Sequence, residues 1–312
     1  MLVPQLLARG HFVTVYDQML LGDGGLPKDN EHLRVIQADI RSITDIYGAA
    51  KGQDAVICLA GIIAEEMCQL APLDSRTINM GGASAVAVAA AIGGAKRFIY
   101  ASSVAAYPSS DRPSTEDTVL QPTTIYGECK VYAEKSVLDV IPNSVIVRSA
   151  SVCGYSINMR FHVTVNRMMR DAMIGEFVRV NGGDQYRSHV HIKDVCDFYA
   201  LLLERPETGV FNLVAENQSI RQTAELVADE TGAKIIIGPA TDSRSYRVDG
   251  TKARDVLGFT PKLTVLDAVR DLKAHFDSDA KGITSEWLDL TTNPTYMGLT
   301  DPKRLELRSA LA

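Results

Sequence analysis

Three residues have the types and spacing needed for proton transfer at a hydroxyl: Ser103, Tyr126 and Lys130. Tyr126 and Lys130 stand four apart in the stretch Tyr126–Val140, where apolar residues recur at helical spacing. Both side chains therefore fall on one helix face. A free phenol, with a pKa of about 10, is a poor base at neutral pH. An ammonium one turn away favours the phenolate and brings it towards a working range. A serine hydroxyl beside that phenol would hold the oxygen whose proton is taken or returned.

These residues need a strand end and a helix start to bring them together. The run Arg97–Ser102 is apolar and β-prone, and it ends in small hydroxyl residues where a buried strand meets its loop. Gln121-Pro122-Thr123-Thr124 is turn-rich and leads into the helix.

The rest of the chain alternates in the same way. Residues 1–10 read as the end of a helix closed by Gly10. His11–Tyr16 is a strand with Asp17 at its C-terminal end, and Leu33–Ala38 is a strand followed by Asp39-Ile40. Asp54–Leu59 is continuously apolar, as a fully buried parallel strand should be, and leads into Ala60-Gly61, where backbone can approach a ligand. Residues 20–31 and 62–72 read as loops, and Thr77–Gly94 as a helix rich in small residues. Further strands are expected at Ser144–Arg148, Phe177–Val180, Ser188–Ile192 and Phe211–Val214, and helices at Ser219–Thr231 and from Thr251. Alternation of this kind predicts an α/β fold.

Composition narrows the function classes. The formal net charge of −6 over 312 residues, with Lys and Arg scattered, gives no footprint for nucleic acid or an anionic membrane surface. The longest apolar stretch, Ala83–Ile92, is too short to span a bilayer. Five cysteines, an odd number, predict free thiols in a reducing, cytoplasmic setting. Cys58, Cys129, Cys153 and Cys196 read as small buried hydrophobes. No metal-ligand spacing appears among the cysteines and six histidines.

Taken together, Ser103, Tyr126, Lys130 and these ordered motifs resemble the extended short-chain dehydrogenase/reductases, in their nucleotide-sugar epimerase/dehydratase branch, over residues 1–275. The resemblance implies a Rossmann-type doubly wound parallel sheet with a smaller mixed C-terminal substrate domain. Residues 1–150 would form the NAD-binding domain, with later segments returning to it. Residues 151–277 would largely bind the nucleotide sugar, and 278–312, with the single tryptophan Trp287, carry no visible motif. Asp17 would accept hydrogen bonds from the adenosine ribose and repel a 2′-phosphate, favouring NAD over NADP. Asp39 and Ile40 would lie beside the adenine, and Leu59, Ala60 and Gly61 along the cofactor. Asn79 either contacts the cofactor or satisfies a nearby loop carbonyl. Tyr126 and Lys130 would touch the cofactor as well as serve as catalytic residues with Ser103.

On the substrate side the resemblance places Ser151, Arg160 and Asn166. Arg187 opens Arg187-Ser188-His189-Val190-His191-Ile192-Lys193-Asp194-Val195, similar to the family's arginine-to-aspartate signature. An arginine fork matches a diphosphate bidentately. Arg247 would be a second clamp, and Arg244 is either a clamp or a solvated charge. The implied reaction is NAD-dependent epimerisation of a nucleotide-diphosphate sugar, at C4, by transient oxidation with Tyr126 as base. A keto-sugar reductase and a non-catalytic paralogue remain open, and a homodimer is a further expectation. Dehydration is disfavoured, because Val104-Ala105 stand where the family's dehydratases carry an Asp-Glu pair. A 3,5-epimerase would need a cysteine among Val104, Ala105 and Ala106.

One departure stands out. The family's first strand and its Gly-x-x-Gly-x-x-Gly turn do not precede residues 1–10, leaving about twenty residues of the pattern unmatched. The expectation is a sequence that starts late, with two central strands facing each other unpaired.

Overall fold

The computed structural model describes residues 1–278 apart from positions 21, 64, 158, 241 and 243. Short apolar runs without polar alternation need cover on both faces, which a parallel sheet flanked by helices provides. Four such runs, β3 (Ala55–Cys58), β4 (Arg97–Ser103), β5 (Val145–Ser149) and β9 (Gly209–Leu213), form a parallel sheet in the order β3-β4-β5-β9. The register sets Ser103 opposite Ser149 at the C-terminal end. Phe98, Ile99, Val145, Ile146 and Val147 are at most 1% exposed.

Helices cover both faces of this sheet. On one, α5 (Ala83–Gly93) and α6 (Ile125–Val140) pack Ala87, Ala90, Ala133 and Val137 against Phe98, Tyr100 and Ile146. On the other, α8 (Ile192–Glu204) packs Phe198, Tyr199 and Leu202 against Ile99, Val147 and Phe211. The alanines of α5 allow a close approach. A Cβ on Gly93 would sit 2.9 Å from the Ala50 carbonyl oxygen of α2 (Ile43–Ala50).

β1 (Val13–Asp17) and β2 (Leu33–Gln37) pair in parallel but make a separate two-stranded sheet. No ladder joins β1 to β3 among the described residues. Gln53 Nε2 reaches across to Thr14 Oγ1 at 3.3 Å. Before β1, α1 (Leu2–Ala8) ends at Gly10, whose φ of 85° is the left-handed conformation expected there.

The expected loop over 62–72 is partly helical: α3 (Glu65–Leu70), α4 (Pro72–Arg76) and a π-helical turn, Thr77–Gly82, run into α5. Glu65 and Glu66 suit the positive N-terminus of α3, and Pro72 starts α4. The helix expected from Thr77 thus begins as a wider coil before becoming α-helical at Ala83.

Beyond β5 the chain builds the smaller part. β6 (Ser151–Cys153), β8 (Tyr186–His191) and β10 (Glu216–Ser219) form a mixed sheet with β8 central, and β7 (Phe177–Asn181) pairs with β11 (Lys234–Gly238). α7 (Thr164–Gly175), α9 (Ile220–Thr231) and α11 (Val265–Ser278) enclose a core of Val165, Met169, Val227, Val269 and Leu272. A capping box between Ser219 and Gln222 starts α9. α10 (Thr251–Leu257) packs near β9. The architecture is a Rossmann-type α/β fold with a smaller mixed part. Residues 279–312, Trp287 included, lie outside the described residues.

Candidate active site

The proton-transfer residues meet where β4 ends against the start of α6. Ser103 closes β4, and its Oγ accepts a hydrogen bond from Ala105 N at 3.2 Å, capping the 3-10 turn Val104–Ala106. Thr124 caps α6 by accepting from Gly127 N at 3.0 Å. Gly127 has no room for a side chain, since a Cβ there would collide with the Ala105 carbonyl oxygen and Pro122. That contact presses the turn after Ser103 against the helical turn that carries Tyr126.

Lys130 follows one turn on and is only 3% exposed. Its Nζ donates to Ala101 O at 2.7 Å and lies 4.8 Å from the Tyr100 ring centroid and 5.6 Å from that of Tyr126. Burial works against the ammonium, but the neighbouring Tyr100 and Tyr126 groups outweigh it and hold the Lys130 pKa above its ordinary value. The expected i, i+4 pair is thus one face of α6, with its cation buried beside the phenol ring. Ser103 and Tyr126 themselves are half-buried, which leaves them reachable.

A third residue on that face was missed in the sequence. Glu134 sits one turn beyond Lys130 and pairs with Arg148 of β5 at 2.7 Å, both buried. Glu134 also accepts from Ser102 Oγ, the neighbour of Ser103. Arg148 Nη1 donates to Tyr107 Oη at 2.9 Å, and Tyr107 donates to Asn212 Oδ1 at 2.7 Å. The i, i+8 spacing from Tyr126 was the available signal.

The residues expected at the cofactor sit at the C-terminal strand ends. Asp17 is exposed, its carboxylate accepting from Met19 N at 2.7 Å. Asp39 is tied to Gln18 and to both the side chain and backbone of Arg41. Burial would raise the Asp39 pKa, but the Arg41 hydrogen bonds and charge win and hold it below the usual range. Ile40 is buried against Gly82 rather than displayed. Leu59 is 50% exposed, while Ala60 and Gly61 are half-buried. Asn79 serves the loop: it accepts from Ile62 N at 2.7 Å and donates to Ile62 O at 2.8 Å. A Cβ on Gly61 would meet Asn79 Oδ1 at 2.8 Å and lie 4.0 Å from Lys130 Nζ, so Asn79 leaves no room for a side chain there.

On the far side, Ser151 belongs to β6 opposite His189. Asn166 is buried, accepting from Gly154 N at 3.2 Å and donating to Arg160 O at 3.2 Å, while Arg160 is exposed. His162 lies between Arg160 and Arg167, before the first turn of α7. Burial, then those two charges, lower its pKa to about 4, so the ring is neutral at pH 7. Arg187 and Arg244 share the Asp242 carboxylate at 2.8 and 2.7 Å. The Arg247 guanidinium stacks 3.7 Å over the Tyr186 ring and donates to Asp111 O. Three arginines therefore gather around one strand pair, with a single carboxylate between two of them. Among the described residues no group of His, Cys, Asp and Glu could hold a metal, no helix is long and apolar enough to cross a membrane, and all five cysteines are free and buried.

Comparison with known proteins adds to this geometry. A family model described as the NAD dependent epimerase/dehydratase family matches residues 1–213. A UDP-glucose 4-epimerase of Lactobacillus helveticus is 28% identical over 302 residues, covering 86% of this chain and 90% of that one. A putative UDP-arabinose 4-epimerase 2 of Arabidopsis thaliana is 25% identical over 304 residues, covering 84% and 73%. Among solved structures, MoeE5 in complex with UDP-glucuronic acid and NAD superposes with a TM-score of 0.79 at 25% identity, covering 89% of this chain and 95% of that one. A UDP-glucose 4-epimerase of Thermotoga maritima with UDP-glucose gives a TM-score of 0.80 at 22% identity, covering 90% and 95%.

Proposed function

The chain belongs to the NAD-dependent epimerase/dehydratase family, and from that premise we propose that it is a nucleotide-sugar 4-epimerase with Tyr126 as its base. The carrying observation is the seating of Lys130 Nζ on Ala101 O beside the Tyr126 ring, with Ser103 two residues further along the same strand. Tyr126 takes the proton of the sugar hydroxyl and later returns it. Ser103 holds the oxygen in line, and Lys130 stabilises the phenolate. Binding by the arginine group, rather than chemistry, fixes the sugar's position.

The residues fit NAD on its ribose and reacting sides. Asp17 would hold the adenosine ribose hydroxyls, and Ala60 and Gly61 would lie along the dinucleotide. NAD held there would supply reversible hydride transfer. Arg187, Arg244 and Arg247 would receive the diphosphate, with Asp242 giving way to it. The turn Val104–Ala106 offers only apolar side chains, so water elimination has neither acid nor base beside Ser103. The UDP-glucose and UDP-arabinose names of the relatives support offering UDP-hexoses first and UDP-pentoses next.

The test incubates the full-length protein with NAD and UDP-hexoses and separates C4 epimers by chromatography. Tyr126→Phe should lower kcat by about 10²–10⁴-fold, with KM little changed. Consumption of NADH on a 4-keto sugar without epimer formation would replace epimerisation by reduction. Near-wild-type turnover in Tyr126→Phe would remove the mechanism.

A further inference from the structure

Tyr126 is the second residue of α6, in the turn whose N–H groups no helical carbonyl satisfies and where helices fray. A base mounted there wanders unless something pins the turn. Thr124 accepts from Gly127 N, which accounts for one N–H. The preceding two are taken by a different element: Glu65 Oε1 accepts from Ile125 N at 3.3 Å and Glu65 Oε2 accepts from Tyr126 N at 3.1 Å. Glu65 opens α3 and is itself steadied by Gln69 Nε2 at 3.1 Å. Its charge also lies favourably for the N-terminal end of the α6 dipole.

Glu65 belongs to the segment that leaves β3 through Gly61 and is held at Ile62 by both amide groups of Asn79. That segment therefore has two anchors, Asn79 near the strand end and the first turn of α6. Arg244, bound chiefly to Asp242, also feels the Glu65 charge. We propose that Glu65 is a positioning residue for Tyr126, fixing the first turn of α6 and hence the phenol against the substrate oxygen. This rests on the reading of Tyr126 as the base, and the test separates the two.

In the substrate-free, full-length protein, Glu65→Ala should speed amide exchange at Ile125 and Tyr126 by about tenfold or more, as loss of a charged acceptor predicts. Exchange in the later turns of α6 should stay unchanged. In turnover, kcat should fall on the order of tenfold through misplacement of the phenol, with KM for the nucleotide sugar nearly constant. Glu65→Gln, which keeps an acceptor oxygen, should recover most of that loss. Unchanged exchange in Glu65→Ala would remove the tether. Faster exchange with unaltered kcat would show the tether to be unrelated to the base. A kcat loss that merely tracks the folded fraction at the assay temperature would make Glu65 structural only. If wild-type protein turns over no nucleotide sugar, the reading of the reaction fails, and with it the claim that the tether serves a base; the exchange result would still stand.

Discussion

β4 and β5 on one side, β1 and β2 on the other, are all short parallel strands, yet they meet different surroundings. Ile99, Val145, Ile146 and Val147 are fully buried between strand neighbours and helices, whereas Val35 of β2 is 46% exposed and β1 is at best half-buried. β4 has strand partners on both edges; among the described residues β1 pairs with β2 alone. Parallel strands are stabilised by cover on both faces, and isolated two-stranded pairs are marginal. The proposed roles divide along the same line. Ser103, Tyr126 and Lys130 sit on the well-packed side, while Asp17 and Asp39 sit on the lightly packed one. Precise proton transfer depends on burial and interlocking. Holding a ribose at an exposed strand end asks less of the scaffold.

Breaking the inner side should have the largest effect. Arg148→Ala would leave Glu134 buried without its partner and Tyr107 Oη without a donor. The expected loss is about 3–5 kcal/mol of stability, read by urea denaturation. A loss below about 1 kcal/mol, the scale of an exposed ion pair, would mean that the network does not hold β4, β5 and α6 together.

Acid should act differently on the mixed sheet and on the lightly packed side. His189 in the mixed sheet is buried, and neither ring nitrogen has a hydrogen-bond partner among the described residues. Burial, then the Arg187 charge, lowers its pKa from 6.5 to about 4. The unfolded chain therefore binds a proton that the folded one refuses between those values. Stability is full above pH 6.5 and falls as pH drops towards 4, by on the order of 3 kcal/mol. Asp39 on the lightly packed side behaves otherwise, since Arg41 keeps it ionised below its ordinary range despite its burial, and it loses stability only further into acid. Urea midpoints at pH 7 and pH 4.5 should converge in His189→Leu relative to wild type. Equal acid sensitivity in both proteins would show that His189 does not contribute to acid lability.

The sequence was most legible where the physics is local. The helix face of Tyr126 and Lys130, the apolar strand ending at Ser103 and the turn before α6 follow from periodicity and turn chemistry. Asn79 was open between two roles, and its hydrogen bonds to Ile62 show the loop-holding one in this structure. Glu65 and Arg148 were not legible, because each acts through a partner about sixty or fourteen residues away, and pairings of that kind carry no periodic signal. The helices α3 and α4 were read as loop because their few residues are too short for a period to show. Among the described residues β1 and β3 belong to separate sheets.

The same single change on the two sides gives a sharper comparison. Ile146→Val removes one methylene from a residue with no exposure and should cost about 0.5–1.5 kcal/mol. Ile36→Val in β2, at a half-buried position, should stay within about 0.5 kcal/mol. Equal costs would mean that β2 is packed as tightly as β5.

The smallest effect expected on stability concerns Asp17, and its change in cofactor binding tests what the lightly packed side is for. The carboxylate is exposed and accepts from Met19 N, which leaves its other oxygen for the ribose. Asp17→Asn keeps the size and one acceptor but removes the charge. NAD affinity should fall by about 0.5–1.5 kcal/mol, the net worth of a hydrogen bond. NADP affinity should rise, because the charge that repels a 2′-phosphate is gone. Calorimetric titration of the full-length protein with each dinucleotide reads both. Because Asp17 is exposed at the end of β1, the change should leave the urea midpoint and the kcat of a saturated enzyme almost untouched. If NAD and NADP bind the wild-type protein equally, Asp17 does not read the ribose, and the exposed end of β1 has no part in choosing the cofactor.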